Sequence, residues 1–177
     1  MSLRFRQEEI AVRDLEERDV PVMVRWLSDP RVLDYWEGRD HPFDEQMVRE
    51  TFLNPEDTDV VCCIAEQNDV PIAYIQFYSD EQELYGYAEE LTFFGIDLFI
   101  GEPELWGQGI GTRLISGMVK YLFDEFHADI LAIDPHVDNA RAIRSYEKAG
   151  FRKVRILPHH EVHEGEWKDC WLMECWR

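Results

Sequence analysis

Residues 94–115 read FGIDLFIGEPELWGQGIGTRLI. The stretch has three parts: an apolar run from Ile96 to Ile100 broken by Asp97, a turn rich in Gly, Pro and Glu, and a triplet of glycines, Gly107, Gly109 and Gly111, that opens a long helical pattern. A strand, a glycine loop and a helix start in that order make a site for a phosphate-bearing ligand. The first turn of a helix has unpaired N–H groups and the positive end of the macrodipole, and glycines let a phosphate come close to the main chain.

Downstream of the glycines, the 3.6-residue period from Gly109 to about Phe126 buries Ile110, Leu114, Ile115, Met118, Val119 and Leu122. Ile130 to Ile133 follows as a short apolar strand, so the strand, helix and strand form a right-handed parallel crossover. Asp134-Pro135 ends that strand, and Asn139 to Ala149 is a second helix closed by Gly150. Phe151 to Leu157 and Trp167 to Trp176 are expected as two last strands joined by an acidic, histidine-rich turn.

Upstream, Val60 to Ala65 and Pro71 to Tyr78 read as a hairpin turning at Asn68-Asp69. Asp80 to Glu90 is a polar, acidic loop, with Glu89 and Glu90 as candidates for facing a cation. Ile10 to Arg13 alternates as a half-buried strand does. Three short helices are expected: Val20 to Leu27, one from Asp29-Pro30, and one capped by Asp44 running to about Phe52. The order predicts one α+β domain over residues 1–177, in three layers. Its twisted, mostly antiparallel sheet has about six to seven strands, with the strand ending at Ile100 and the strand Ile130–Ile133 as a central parallel pair between helices.

Thirty-seven acids against eighteen bases give a formal charge of -19. Such a field repels nucleic acid and anionic membranes and draws in cations. Neither nucleic acid nor membrane is expected as a partner, and no run approaches the roughly 20 apolar residues of a span. The first ten residues lack the apolar core of a secretory signal, so a cytoplasmic monomer or homodimer is expected. Cys62 and Cys63 are adjacent and point to opposite faces if extended. Cys170 and Cys175 fit no zinc spacing, and His159, His160 and His163 with Cys170 lie in a turn-like stretch; no metal is expected.

No Lys-Ser or Lys-Thr follows Gly111, so the glycine loop is not a nucleoside-triphosphate loop. It also lies mid-chain after an antiparallel hairpin, not after the first strand of a repeated dinucleotide-binding unit. Together, WGQGIGTRL and DNARAIRSYEKAGF resemble the acetyl-CoA signature of the GNAT N-acetyltransferase superfamily. Gly109 and Gly111 match the glycine places, while Trp106 stands where the family has Gln or Arg. The resemblance implies that the amides from Gln108 through Gly109, Ile110 and Gly111 to Thr112 hold the pyrophosphate, with Phe99 and Ile100 of the central strand also at the cofactor. It further implies Asn139 beside the pantetheine arm and Tyr146 at the thioester sulfur. Asn139, Ile143, Tyr146 and Gly150 share one helix face by spacing alone.

Within the superfamily, most of the chain is similar to aminoglycoside 6'-N-acetyltransferases, through Trp36 before Glu37-Gly38, the strand PIAYIQFY, Gly95-Ile96-Asp97 and Asp134-Pro135. This resemblance implies that Trp36, Asp97 and Asp134, and less directly Glu89 and Glu90, bind a cationic amine, and that the activity modifies antibiotics. LFIGEPE also resembles acetyltransferases that act on hydroxylysine in siderophore synthesis, in whose pattern a histidine stands where this chain has Asp97. Polyamines and protein N-termini are the other acceptors to weigh. The expected reaction is direct acetyl transfer in a ternary complex, with Tyr146 serving the leaving thiolate and Asp97 or a water it positions taking the amine proton.

Overall fold

The computed structural model describes residues 2–55, 59–79 and 82–177. β1 (Leu3–Gln7) and β2 (Ile10–Asp14) form a hairpin, followed by α1 (Val20–Trp26) and α2 (Glu45–Val48). Then come β3 (Val61–Gln67), β4 (Val70–Tyr78), α3 (Gln82–Tyr85) and β5 (Phe93–Ile100). The remainder is α4 (Ile110–Glu125), β6 (Ile130–Ile133), α5 (Ala140–Lys148), β7 (Arg152–His163) and β8 (Glu166–Trp176). All eight strands belong to one sheet, in the order β1-β2-β3-β4-β5-β6-β8-β7. Its neighbours are antiparallel except for β5 and β6, which run parallel.

The mixed α+β architecture and its central parallel pair are as the sequence predicts, but the strand count is eight. The extra strand is β1, whose charged residues alternate with Leu3 and Phe5. Phe5 lies over α4, where a Cβ on Gly117 would stand 2.6 Å from its ring. A second correction concerns the histidine-rich segment. It is strand, not turn: β7 runs to His163, pairing Glu161 with Lys168 and His163 with Glu166, and absorbs the irregular sequence as a register shift between Leu157 and Glu161. The turn itself is only Glu164 and Gly165, both with positive φ.

Period-two alternation divides the core between the two faces of the sheet. Cys63, Ala65, Ala73, Ile75, Phe77, Phe94 and Ile96 pack with Ile110, Leu114, Ile115, Met118 and Leu122 of α4 and Ile143 of α5. On the other face, Ile64, Tyr74 and Phe99 pack with Val20, Met23 and Trp26 of α1, with Leu27, Leu33, Val48 and Phe52, and with half-buried Cys62 and Trp36. The adjacent cysteines do therefore face opposite ways, and all four thiols are free.

One buried ionic group ties α1 to the sheet. Arg13 on β2 is 2% exposed. It donates to Asp19 Oδ2 and Oδ1 at 2.7 and 2.8 Å, and to Glu66 Oε1 from Nε at 2.8 Å and from a terminal nitrogen at 2.6 Å. Asp19 also accepts from the Glu16 backbone N–H at 2.8 Å, holding the turn that leads into α1.

Candidate active site

The site is a parting in the sheet. β5 pairs with β6 only from Phe93 to Gly95, yet stays paired with β4 as far as Ile100. Beyond Gly95 the two parallel strands diverge, and a cavity of about 720 Å³ opens between them, reaching from the glycine loop to Trp36. The strand pattern dictates what faces it. Phe94 and Ile96 point into the α4 side of the core, so Asp97 and Phe99 point to the other side, toward Trp36.

Of the residues singled out from sequence, Trp36, Asp97, Phe99, Ile100, Gly109, Ile110, Gly111, Thr112, Asp134, Asn139 and Tyr146 all line this cavity. Three do not. Glu89 and Glu90 are exposed in the turn before β5 and away from the cavity, because α3 folds in ahead of them and buries Tyr85 there instead. The Gln108 side chain is also exposed and turns back to donate to the Glu104 carbonyl at 2.8 Å. Asp80 and Glu81 of the acidic loop lie outside the described residues.

At the glycine end, α4 begins from Gly109 with φ +79°, in the left-handed region. A Cβ on Gly107 or Gly109 would meet nothing within 4 Å, and one on Gly111 would meet only Ser145, at 3.6 Å. These glycines are thus not demanded by protein packing on that side; they leave main chain accessible at a helix start, which fits a pyrophosphate. Trp106 donates from Nε1 to the Ile100 carbonyl at 3.0 Å, fastening the end of β5 to the loop. The Arg141 guanidinium lies 3.8 Å over its ring centroid, at the start of α5. Sequence reading did not find Arg141; it sits two residues after Asn139 on the helix that lines the cavity. Asn139 Oδ1 caps α5 by accepting from Ala142 N at 3.2 Å, so its Nδ2 hydrogens remain for a ligand.

Farther in, Tyr146 is 7% exposed and its pKa is raised, first by burial and then by the charges of Asp97 and Asp134. Asp97 Oδ2 accepts from Gln76 Nε2 at 2.8 Å. The Tyr74 hydroxyl donates to Gln76 Oε1 at 2.6 Å and lies 3.0 Å from Cys62 Sγ, so the Gln76 amide is turned with its donors toward the carboxylate. Asp134 Oδ2 accepts from the Tyr85 hydroxyl at 2.9 Å and from His160 Nε2 at 2.7 Å. Gln76, Tyr85 and His160 were not foreseen as site residues. The only signal for them was alternation, which puts Gln76 on the same face as Tyr74.

Residues 15–158 match the acetyltransferase (GNAT) domain family. Aminoglycoside N(6')-acetyltransferase type 1 of Klebsiella pneumoniae is 31% identical over 151 residues, covering 82% of this chain and 75% of that protein. The N(6)-hydroxylysine O-acetyltransferase of Escherichia coli is 26% identical over 151 residues, 80% of this chain and 46% of that protein. The solved structure of AAC(6')-Ib in complex with paromomycin and acetyl-CoA is similar at a TM-score of 0.77 and 28% identity, covering 96% of this chain and 94% of that one. The chain belongs to the GNAT acetyltransferase family.

Proposed function

We propose, from the premise that this chain is a GNAT acetyltransferase, that it moves the acetyl group of acetyl-CoA to the 6'-amine of an aminoglycoside. The observation that carries the acceptor reading is that Asp97 and Asp134 line one cavity together with Tyr146. Two carboxylates at that depth suit an acceptor with several ammonium groups, one of which they orient toward the thioester. The Klebsiella pneumoniae relative at 31% identity is named as an aminoglycoside N(6')-acetyltransferase, which supports the same reading.

The cosubstrate supplies the acetyl group as a thioester. The open main chain at Gly107, Gly109 and Gly111 and the start of α4 receive its pyrophosphate, with Arg141 stacked on Trp106 adding positive charge nearby. An alkylamine with a pKa near 10.4 is almost wholly protonated at pH 7, and a carboxylate beside it raises that pKa further. Asp97 and Asp134 therefore act first in binding, and the amine loses its proton to Asp97 or to a water that Asp97 positions. The neutral nitrogen attacks the carbonyl carbon, a C–N bond forms, the C–S bond breaks, the thiolate takes the proton of Tyr146, and the second proton shed by the nitrogen as it becomes an amide restores the Tyr146 hydroxyl. Placement in the cavity contributes most of the acceleration.

The test is incubation with acetyl-CoA and kanamycin, followed by mass spectrometry of the product. One acetyl group at the 6'-amine is expected, while an analogue bearing a 6'-hydroxyl binds without reacting. Acetylation at another amine, or none, overturns the acceptor assignment. A second reading, acyl transfer to a hydroxylysine-type acceptor, is favoured by the Escherichia coli relative, and the same assay with N6-hydroxylysine decides between them.

A further inference from the structure

Beside the Asp134 carboxylate is a second cluster that the acetyl-transfer chemistry does not use. The segment after β6 makes a single antiparallel bridge to β8, pairing His136 with Cys170, and side chains of a bridged pair lie side by side. The register shift in β7 brings Glu161 over the same pair. His136 Nε2 donates to Glu161 Oε2 at 2.8 Å, and the Cys170 thiol lies 3.9 Å from the same oxygen. One ligand atom from each of the three residues falls within 4.8 Å of the others. His136 is 6% exposed and Cys170 fully buried, while the Glu161 side chain is 45% exposed. Two residues on from Glu161, His163 is 5% exposed, stands edge-on to His136 at 5.2 Å, and has no hydrogen-bond partner on either ring nitrogen among the described residues. Buried imidazoles without partners are rare and costly in a settled polar cluster.

We infer that His136, Glu161 and Cys170 form a site for one zinc-class divalent cation, with its open coordination position turned to the acceptor end of the cavity. The donor set decides the class of ion: one imidazole, one carboxylate and one thiol suit zinc or cobalt and not magnesium or calcium, which take oxygen. In a tetrahedral site with ordinary zinc distances, neighbouring ligand atoms stand about 3.3–3.6 Å apart, so small side-chain rotations complete the set. On binding, the Cys170 thiol gives its proton to solvent and becomes the ligand. His136 gives up the Nε2 hydrogen by taking the Nδ1 tautomer, and the ion replaces the hydrogen in the His136–Glu161 contact. Burial and the nearby carboxylates of Asp134, Glu161 and Asp169 favour the protonated thiol, which limits affinity.

His136 and Glu161 line the same cavity as Asp97 and Asp134, so a dication there opposes an ammonium-bearing acceptor. This second consequence rests on the acceptor reading above; binding of the ion does not. The experiment is equilibrium dialysis of chelator-treated, tag-free full-length protein against zinc chloride, with metal analysis and a parallel cobalt titration read in the ultraviolet. Expected are one equivalent of zinc and a thiolate-to-cobalt charge-transfer band. Binding should be at least about tenfold weaker in Cys170→Ser and in Glu161→Gln, the latter removing a partly exposed ligand at little risk to folding. Zinc should raise the acceptor KM, leave the acetyl-CoA KM unchanged, lose its effect on adding chelator, and have none in Cys170→Ser. No bound zinc, or equal binding by the parent and both variants, overturns the site. Stoichiometric binding with an unmoved acceptor KM overturns the placement of the open position.

Discussion

The Tyr146 hydroxyl keeps its proton because burial and the charges of Asp97 and Asp134 all disfavour a phenolate. Its ionisation is displaced upward from the usual value near 10, so the donor form is fully present at every lower pH and is lost only above it. If this hydroxyl protonates the leaving thiolate, Tyr146→Phe should lower kcat by about 10²- to 10⁴-fold while acetyl-CoA binding stays close to the parent. The pH profile of the parent should show no basic limb from this group below about pH 10. A limb near neutrality that disappears in the phenylalanine variant would show that the group ionises within the working range, and the assignment would fail. At this scale the sequence was informative where one short motif holds the residue, as for Tyr146 and Asn139 on α5. It was silent on Gln76, Tyr85 and His160, because what brings each to a carboxylate is a contact between distant segments: Tyr85 is 49 residues from Asp134 and Gln76 is 21 from Asp97.

Elements that carry the cofactor end were legible because periodicity and punctuation agree there: β5, the glycines, α4, β6 and α5 occur in the expected order. Elements at the sheet edges were less so. β1 has too many charges to read as a strand, and its partner β2 and the face of α4 decide its conformation. β7 hides its last residues behind a bulge. The attachment of α1 depends on the buried Arg13 with Asp19 and Glu66, which no local pattern shows. Removing the guanidinium leaves two buried carboxylates facing each other uncompensated. Arg13→Met is therefore expected to cost about 3–5 kcal/mol, read as a fall in the denaturation midpoint. An unchanged midpoint would show that the group contributes nothing net. Because α1 supplies Met23 and Trp26 to the core behind Phe99, the loss should also loosen the wall of the cavity.

Across the whole molecule, a formal charge of -19 acts in opposite senses on the acceptor and on acetyl-CoA. A polycationic acceptor is attracted and an anionic cofactor repelled, except where the start of α4 and Arg141 offset the field locally. Raising the ionic strength from about 0.01 to 0.15 M shortens the Debye length from about 30 to 8 Å. The acceptor KM should then rise while the acetyl-CoA KM does not, as steady-state kinetics at the two salt concentrations will show. A fall in the acceptor KM would mean that its recognition is not electrostatic. No helix among the described residues is long and apolar enough to cross a membrane.

The parting of β5 from β6 also bears on cohesion. Five strands lie on one side of it and three on the other, joined directly by ladder bonds only from Phe93 to Gly95. A ligand seated in the parting touches both portions and completes, with its own atoms, the contact that the ladder abandons. Such a ligand is held by the folded chain alone, so at a hundred times its dissociation constant it adds about 2.7 kcal/mol to stability. Much of that gain should appear as a stiffer hinge between the two parts of the sheet. The molecule is in this sense a clasp, and its cosubstrate doubles as the pin.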